Sequence, residues 1–244
     1  MSKRKIVVTG ASGNIGTRLC KDLAGQYELV LLDRKTGSTG EIRHADFRAY
    51  DPRWVRHFDQ ADTVIHLAAN PYTNARWSDL VPDNIDAVMN VCAACAEKQA
   101  RRLVYASSCQ TMEGYRDSGL SRITVDMEPL PTNDYGISKL IGERICRHYG
   151  ERHSYSVVCL RIGWVPRGDK GPGAEAAPWQ RRKWLSNGDL VRIFVNSIEA
   201  KHADFGVYFA LSENEGMVWD LGESKRVLGY RPQDGLKSAK TPSG

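Results

Sequence analysis

Apolar residues recur along the chain in short runs separated by longer amphipathic stretches. Ile6-Val7-Val8 leads into a glycine-rich turn, and Asn14–Ala24 then carries helical spacing. Glu28–Leu32 is the next strand-like run and ends on Asp33. Thr63–Leu67 and Leu103–Ala106 follow, with helical patterns over about 82–100 and 134–150. Val157–Arg161 and Val207–Leu211 complete the apolar runs. Strand and helix alternating at this cadence call for right-handed crossovers, and so for a parallel sheet covered on both faces. The pattern predicts a doubly wound α/β fold of the Rossmann type, with a small C-terminal substrate-binding portion. One dinucleotide-binding domain is expected over 1–237, followed by a frayed tail at 238–244. Residues 163–180 hold four glycines and three prolines without a period, so they are expected to form a loop; with its exit to about 188, this is the candidate substrate element.

Composition narrows the function class. A hydrophobic fraction of 41% and a charged fraction of 26% are those of a globular protein. The longest apolar runs are a few residues, far short of the ~20 needed for a membrane helix. The basic start Met1–Lys5 precedes an apolar stretch that stops at Thr9-Gly10, which fits no signal peptide. A cytoplasmic protein without membrane contact is expected. Its net charge of +5 is scattered rather than gathered in a block, which argues for a small anionic ligand and against nucleic acid. Six cysteines in a chain without an export signal are expected to be free thiols. Cys92 and Cys95 have CxxC spacing but lack a second pair or a nearby histidine, so they read as buried helix residues, and no metal site is expected.

Gly10-Ala11-Ser12-Gly13-Asn14-Ile15-Gly16 follows a strand and opens a helix. Glycines at that spacing allow a tight turn and close approach to a pyrophosphate, and the helix N-terminus offers it unpaired N–H groups. Asp33, at the end of the second strand, would accept the hydroxyls of an adenosine ribose and repel a 2′-phosphate. Arg34 beside it could pair with such a phosphate, so NAD is favoured and NADP kept as the alternative. Asp46 and Phe47 are placed to contact adenine, the other reading being a surface aspartate. Tyr135 and Lys139, four apart, share a helix face. A phenol with a pKa near 10 is a poor base until a nearby ammonium stabilises its phenolate. That pairing suits Tyr135 as the proton acceptor from an alcohol that loses hydride to a nicotinamide.

The sequence resembles the extended, epimerase/dehydratase-like branch of the short-chain dehydrogenase/reductase superfamily. The resemblance is carried by Thr9–Gly16, Asp33, His66-Leu67-Ala68-Ala69, Asn84-Ile85-Asp86, Tyr105-Ala106-Ser107-Ser108, Tyr135–Lys139 and Leu160-Arg161-Ile162-Gly163. It implies a Ser108–Tyr135–Lys139 catalytic set and a nicotinamide cofactor across the carboxyl ends of the strands. Leu67, Ala68 and Ala69 would line its adenosine side, and Ile162 would lie beside it. The C-terminal third, through Trp184–Asp189 and Leu228–Asp234, is similar to the uronate dehydrogenase group. In that group NAD oxidises the anomeric hydroxyl of a sugar to a lactone. Asn70, Ser108, Cys109, Gln110, Gly163, Trp164 and Arg181 would then face the sugar. Two departures bear on the substrate: Cys109 and Gln110 stand where the group has Asn-His, and its carboxylate-binding arginine falls on Trp179. Arg181 and Arg182 are the nearest replacements. Arg167, Lys170, Arg181, Arg182 and Lys183 make the loop basic, suiting a carboxylate, phosphate or sulfonate; a solvated basic loop is the plain alternative. A neutral-sugar dehydrogenase, a nucleotide-sugar epimerase or dehydratase, and a non-catalytic NAD-sensing regulator remain as alternatives. His66 reads as a packed histidine beside the cofactor. Trp164, Trp179 and Trp184 flank the loop and either cover a sugar ring or fill the core. The resemblance also implies a homo-oligomer.

Overall fold

The computed structural model describes residues 3–37, 40–168, 171–173, 175–201 and 203–236. The expected tail at 238–244 and the loop residue Lys170 lie outside them. Seven strands form one parallel sheet: β1 (Lys5–Thr9), β2 (Glu28–Asp33), β3 (Ile42–His44), β4 (Thr63–His66), β5 (Arg102–Ser108), β6 (Ser156–Ile162) and β7 (Phe205–Ala210). Their order is β3-β2-β1-β4-β5-β6-β7. The chain therefore winds outward from β1 to one edge, then returns to place β4 on its other side. Such a switch point opens a crevice at the carboxyl ends of β1 and β4.

Successive strand residues face opposite layers. Ile6, Val8, Val104 and Ala106 join a core covered by α1 (Asn14–Leu23), α7 (Asn187–Glu199) and α8 (Gly222–Val227). Val7, Leu103 and Tyr105 join the opposite core, under α2 (Pro52–Val55), α4 (Ala87–Glu97) and α5 (Asp134–His153). Every residue of β4 and β5 is buried, as a strand covered on both faces requires. Among the described residues no helix is long and apolar enough to cross a membrane.

A buried arginine starts β5. The Arg102 guanidinium donates to the carbonyls of Ser197 (2.6 Å) and Ile198 (3.1 Å), where α7 ends. Unsatisfied carbonyls at a helix C-terminus carry partial negative charge, which compensates the buried cation. Burial nevertheless lowers its pKa to about 10.

Three segments depart from the sequence pattern. The helix expected from residue 82 begins earlier, as α3 (Trp77–Leu80), and passes through a π-helical turn at Val81–Asp86 before α4. Pro82 lacks the N–H that would bond one turn back in a helix already running from Trp77, which accounts for the loosened turn there. The helix expected over 134–150 continues to His153. The loop expected over 163–180 contains α6 (Pro178–Arg182), and its ends are joined by a bridge between Trp164 and Trp184. Trp164 N donates to Lys183 O (2.7 Å) and Leu185 N to Trp164 O (2.9 Å). Gly163 permits this crossing, because a Cβ there would lie 2.1 Å from Lys183 O.

Asp189, in the first turn of α7, is fully buried and gathers the end of the described chain. Its carboxylate accepts from Arg192 Nε (2.8 Å), Ser212 Oγ (2.6 Å), Gln233 N (2.8 Å) and Asp234 N (3.1 Å). Asp189→Ala strands all four donors, and a stability loss on the order of 3 kcal/mol is expected. Chemical denaturation measures it, with faster amide exchange at 233–234.

Candidate active site

The turn after β1 is built by close backbone contact. Gly10 has φ +69°, and a Cβ there would sit 2.6 Å from Ala68 N, at the end of β4. A Cβ on Gly16 would sit 2.3 Å from Gly10 O. Gly13, extended at the N-cap of α1, makes no side-chain cap, so the first amides of the helix (Asn14, Ile15, Gly16) carry no protein anion. The Asn14 side chain has another task than phosphate binding. Its Nδ2 donates to Val165 O (3.1 Å), while Arg18 reaches Pro166 O (3.1 Å) and Gly168 O (2.6 Å). The first helix thus holds the start of the segment that follows β6.

A cleft of about 940 Å³ runs from this turn across the sheet. At one end stand Asp33, Arg34, Asp46 and Phe47, with Leu67, Ala68 and Ala69 beside them. Asp33 accepts from Ser12 N (3.0 Å) and Lys35 N (3.1 Å), which aims its carboxylate along the rim. Arg34 pairs with Asp83 (3.1 Å), and Arg48 with Asp46 through Nε (2.9 Å), so both guanidiniums are engaged by carboxylates. Arg48 holds the Asp46 carboxyl below its ordinary pKa. Phe47 is buried, edge-on to Trp54 and His66.

At the middle of the cleft, β5 ends on Ser108. Its Oγ accepts from Gln110 N (3.2 Å), and Tyr135, near the start of α5, lines the cleft with it. Asn133 caps that helix by accepting from Gly136 N (2.8 Å), which sets the pitch at which Tyr135 and Lys139 face inward. Lys139 Nζ donates to Ala106 O (2.9 Å) and lies 5.8 Å from the centre of the Tyr135 ring. Burial lowers the Lys139 pKa to about 8 and pushes Tyr135 up to about 12, against the opposing influence of the Ser108 hydroxyl. Ile162, at the end of β6, and Gly163 close this part of the wall.

His66 is fully enclosed. The Thr9 hydroxyl accepts from Leu67 N (3.2 Å) and Ala68 N (3.3 Å), so its own proton goes to His66 Nδ1 (2.7 Å). That assigns the Nε2–H tautomer, stacked on Tyr105 at 6.0 Å. Burial first, then the Lys139 charge, lower its pKa to about 3, which leaves it no acid role at neutral pH.

The sugar-facing candidates divide. Cys109, Gln110, Gly163 and Trp164 line the cleft; Asn70 and Arg181 do not. Asn70 Oδ1 accepts from Tyr72 N (3.2 Å), and its backbone is clamped by Asn84 through Nδ2 to Asn70 O (3.1 Å) and Oδ1 from Asn70 N (2.7 Å). Arg181 NH1 instead donates to Gly173 O (2.9 Å), drawn there by the turn of α6. The Cys109 thiol donates to Arg161 O (3.2 Å), and burial raises its pKa to about 12. Trp179 packs on Trp219 at 4.5 Å in the core rather than in the cleft.

Two features were absent from the sequence reading. Glu143 sits one turn after Lys139 on the same face and receives a bidentate pair from Arg161 (Nε to Oε1 2.9 Å, NH2 to Oε2 2.9 Å) and Ser107 Oγ (2.6 Å). Its i,i+4 spacing from Lys139 was the available signal. Glu113 and Lys183 form the second feature, a buried ion pair at 2.7 Å on the cleft wall, and no local spacing links residues 70 apart.

Comparison with known proteins agrees with this geometry. The family described as "NAD dependent epimerase/dehydratase family" matches residues 6–165. An L-arabinose 1-dehydrogenase (NAD(P)(+)) of Haloferax volcanii is 31% identical over 94% of this chain and 96% of the relative. An NAD-dependent glucose-6-phosphate dehydrogenase of the same organism is 30% identical over 94% of this chain and 93% of that one. The crystal structure of a glucuronic acid dehydrogenase from Chromohalobacter salexigens superposes with a TM-score of 0.82 at 27% identity, covering 96% of this chain and 86% of the other.

Proton-coupled nitrogen spectra of histidine test the electrostatics. His66 is expected to keep the neutral Nε2–H form from pH 8 to pH 5, because burial depresses its pKa. An exposed histidine protonates near its unperturbed 6.5 over the same range. Protonation of His66 above pH 5 contradicts the packing described.

Proposed function

Since the chain belongs to the NAD dependent epimerase/dehydratase family, we propose that it is an NAD-dependent sugar dehydrogenase that oxidises the anomeric hydroxyl of an anionic monosaccharide to a lactone. The observation that carries this reading is the meeting of Ser108, Tyr135 and Lys139 at the middle of a cleft whose far end is a glycine cradle. The cradle fits a dinucleotide: at Gly10 and Gly16 any side chain would collide with backbone, and the adjoining helix amides are free of protein anions. Gly10, Gly13, Asn14, Ile15 and Gly16 would hold the pyrophosphate, and Asp33 the adenosine ribose.

NAD bound there would supply the hydride acceptor for the sugar's C1 and, in its oxidised form, a positively charged ring. The protein's own part is acid–base. Ser108 orients the C1 hydroxyl, whose proton passes to the Tyr135 oxygen as the C1–O bond becomes a carbonyl. At a pKa of about 12 the unliganded phenol is protonated at neutral pH, so it becomes an effective base only with added positive charge nearby. Lys139 provides one such charge: with a pKa of about 8 it is largely protonated at pH 7.

NAD is preferred over NADP in this reading. Asp33 presents a carboxylate where a 2′-phosphate would lie, and Arg34 is already paired with Asp83. The basic sugar end, with Arg116, Arg167 and Lys183, supports an anionic substrate. A neutral pentose is the second reading, favoured by the arabinose dehydrogenase relative.

The test is NADH formation against glucuronate, galacturonate, glucose 6-phosphate, glucose, L-arabinose and a nucleotide sugar, with NAD and NADP in parallel. Rapid turnover of one free sugar acid or sugar phosphate with NAD is expected. Tyr135→Phe should lower kcat by about 100-fold or more, as loss of a positioned acid–base group does, with NAD affinity little changed. Activity surviving in that variant removes Tyr135 as the base. Turnover of the nucleotide sugar alone, without net NADH, moves the assignment to an epimerase.

A further inference from the structure

Among the described residues two ion pairs are buried at both partners, and they have different surroundings. Glu143–Arg161 lies beneath the catalytic residues and away from the cleft, whereas Glu113 and Lys183 both line it. The Glu113 carboxylate is saturated. Its Oε2 accepts from Lys183 Nζ (2.7 Å) and Gln110 Nε2 (3.4 Å), and its Oε1 from Trp179 Nε1 (3.1 Å) and Arg116 NH2. Four donors fill the lone pairs of two carboxylate oxygens, so Glu113 has no capacity left for a ligand.

Lys183 is the reverse case. An ammonium has three donors, and among the described residues Glu113 is its single hydrogen-bond acceptor; the Trp179 ring lies below it at 5.9 Å. The residue is 5% exposed, and what it exposes borders the cleft beside Cys109, Gln110 and Trp164. Its backbone carbonyl is tied to Trp164 N (2.7 Å), so the side chain leaves from a fixed point. At the opposite end of the cleft the carboxylates Asp33, Asp46 and Asp83 are balanced by Arg34, Lys35 and Arg48. At this end Glu113 faces Lys183, Arg116 and Arg167, leaving an excess of positive charge. A desolvated ammonium with unused donors gains most from a full negative charge. Its rotatable point charge suits any oxyanion, where a guanidinium fork would favour planar geometry.

We propose that Lys183, held in position by Glu113, determines substrate specificity by receiving an oxyanion, carboxylate or phosphate, carried by the sugar. This deepens the sugar dehydrogenase reading and rests on it for the identity of the ligand's scaffold. It also moves the anion contact from Arg181, which faces Gly173, to a residue two positions later.

The experiment measures binding of D-glucuronate, glucose 6-phosphate and glucose by calorimetry, without turnover, and the ratio of kcat/KM for charged over neutral sugar where NADH forms. Wild type is expected to bind one charged sugar more tightly than glucose by about 10- to 100-fold, the range of a charge-assisted hydrogen bond. Whichever of the two is preferred identifies the oxyanion as carboxylate or phosphate. Lys183→Met should reduce that preference to within about 3-fold of unity, and Lys183→Arg should retain most of it. Glu113→Gln/Lys183→Met removes both charges of the pair without changing net charge. It should behave as Lys183→Met, which separates contact from field; a thermal melt identifies any variant that has lost its fold, and Lys183→Arg against wild type then carries the comparison. A preference unchanged in both methionine variants overturns the proposal, as does a wild type that binds glucose as tightly as both charged sugars or binds neither. Lys183-dependent binding without NADH formation would instead uphold the oxyanion site and remove the dehydrogenase reading.

Discussion

The geometry of the proposed catalytic centre hangs on one buried ion pair. Arg161 leaves β6 and meets Glu143 of α5 through two bonds of 2.9 Å, while Ser107 of β5 donates to the same carboxylate at 2.6 Å. Three elements are thus joined at one point: the strand ending on Ser108, the helix bearing Tyr135 and Lys139, and the strand that leads to Ile162. Removing both charges from water costs several kcal/mol per ion, and the Coulomb gain offsets this only with good geometry and full hydrogen bonding. Here the guanidinium also reaches Met112 Sδ (3.2 Å) and Val125 O (3.3 Å), so the pair is nearly saturated. Such a contact adds little net stability, but it sets register: a slip of α5 by one residue would break all of it.

Around that anchor the interior charges are graded by burial. Lys139 is the cation nearest the phenol, and it is held where its ammonium is penalised enough to titrate near 8 yet remains mostly charged at neutral pH. The same charge helps keep His66 neutral, so the imidazole acts as a spacer between Thr9 and Tyr105. The cleft divides by net charge along its length: at one end three carboxylates are matched by Arg34, Lys35 and Arg48, and at the other Lys183, Arg116 and Arg167 outnumber Glu113.

Much of this was legible in sequence because it is local. Strand periodicity, the Gly10–Gly16 turn and the Tyr135/Lys139 spacing each concern residues within one turn or one strand, and the parallel sheet followed from the alternation of strand and helix. What was not legible depends on side chains meeting across long separations. Lys183 reaches Glu113 only because Gly163 lets the chain at 183–185 cross behind β6, a tertiary event with no local signature. Arg181 was the natural candidate by charge and proximity, yet in the short helix α6 it turns toward Gly173. Asn70 stays off the cleft wall for a related reason: the π-helical turn carries Asn84, which is buried and occupies both backbone polar groups of Asn70.

The bonds from Asn14 and Arg18 to the carbonyls of Val165, Pro166 and Gly168 carry a consequence for how this scaffold can diversify. The segment that would recognise substrate is fastened to the helix that would bind cofactor. It therefore cannot be exchanged as an independent cassette. A loop transplanted from another dehydrogenase would arrive without its mooring unless the residues at 14 and 18 travelled with it, so new specificities on this frame should be acquired by substitution within the loop rather than by its replacement.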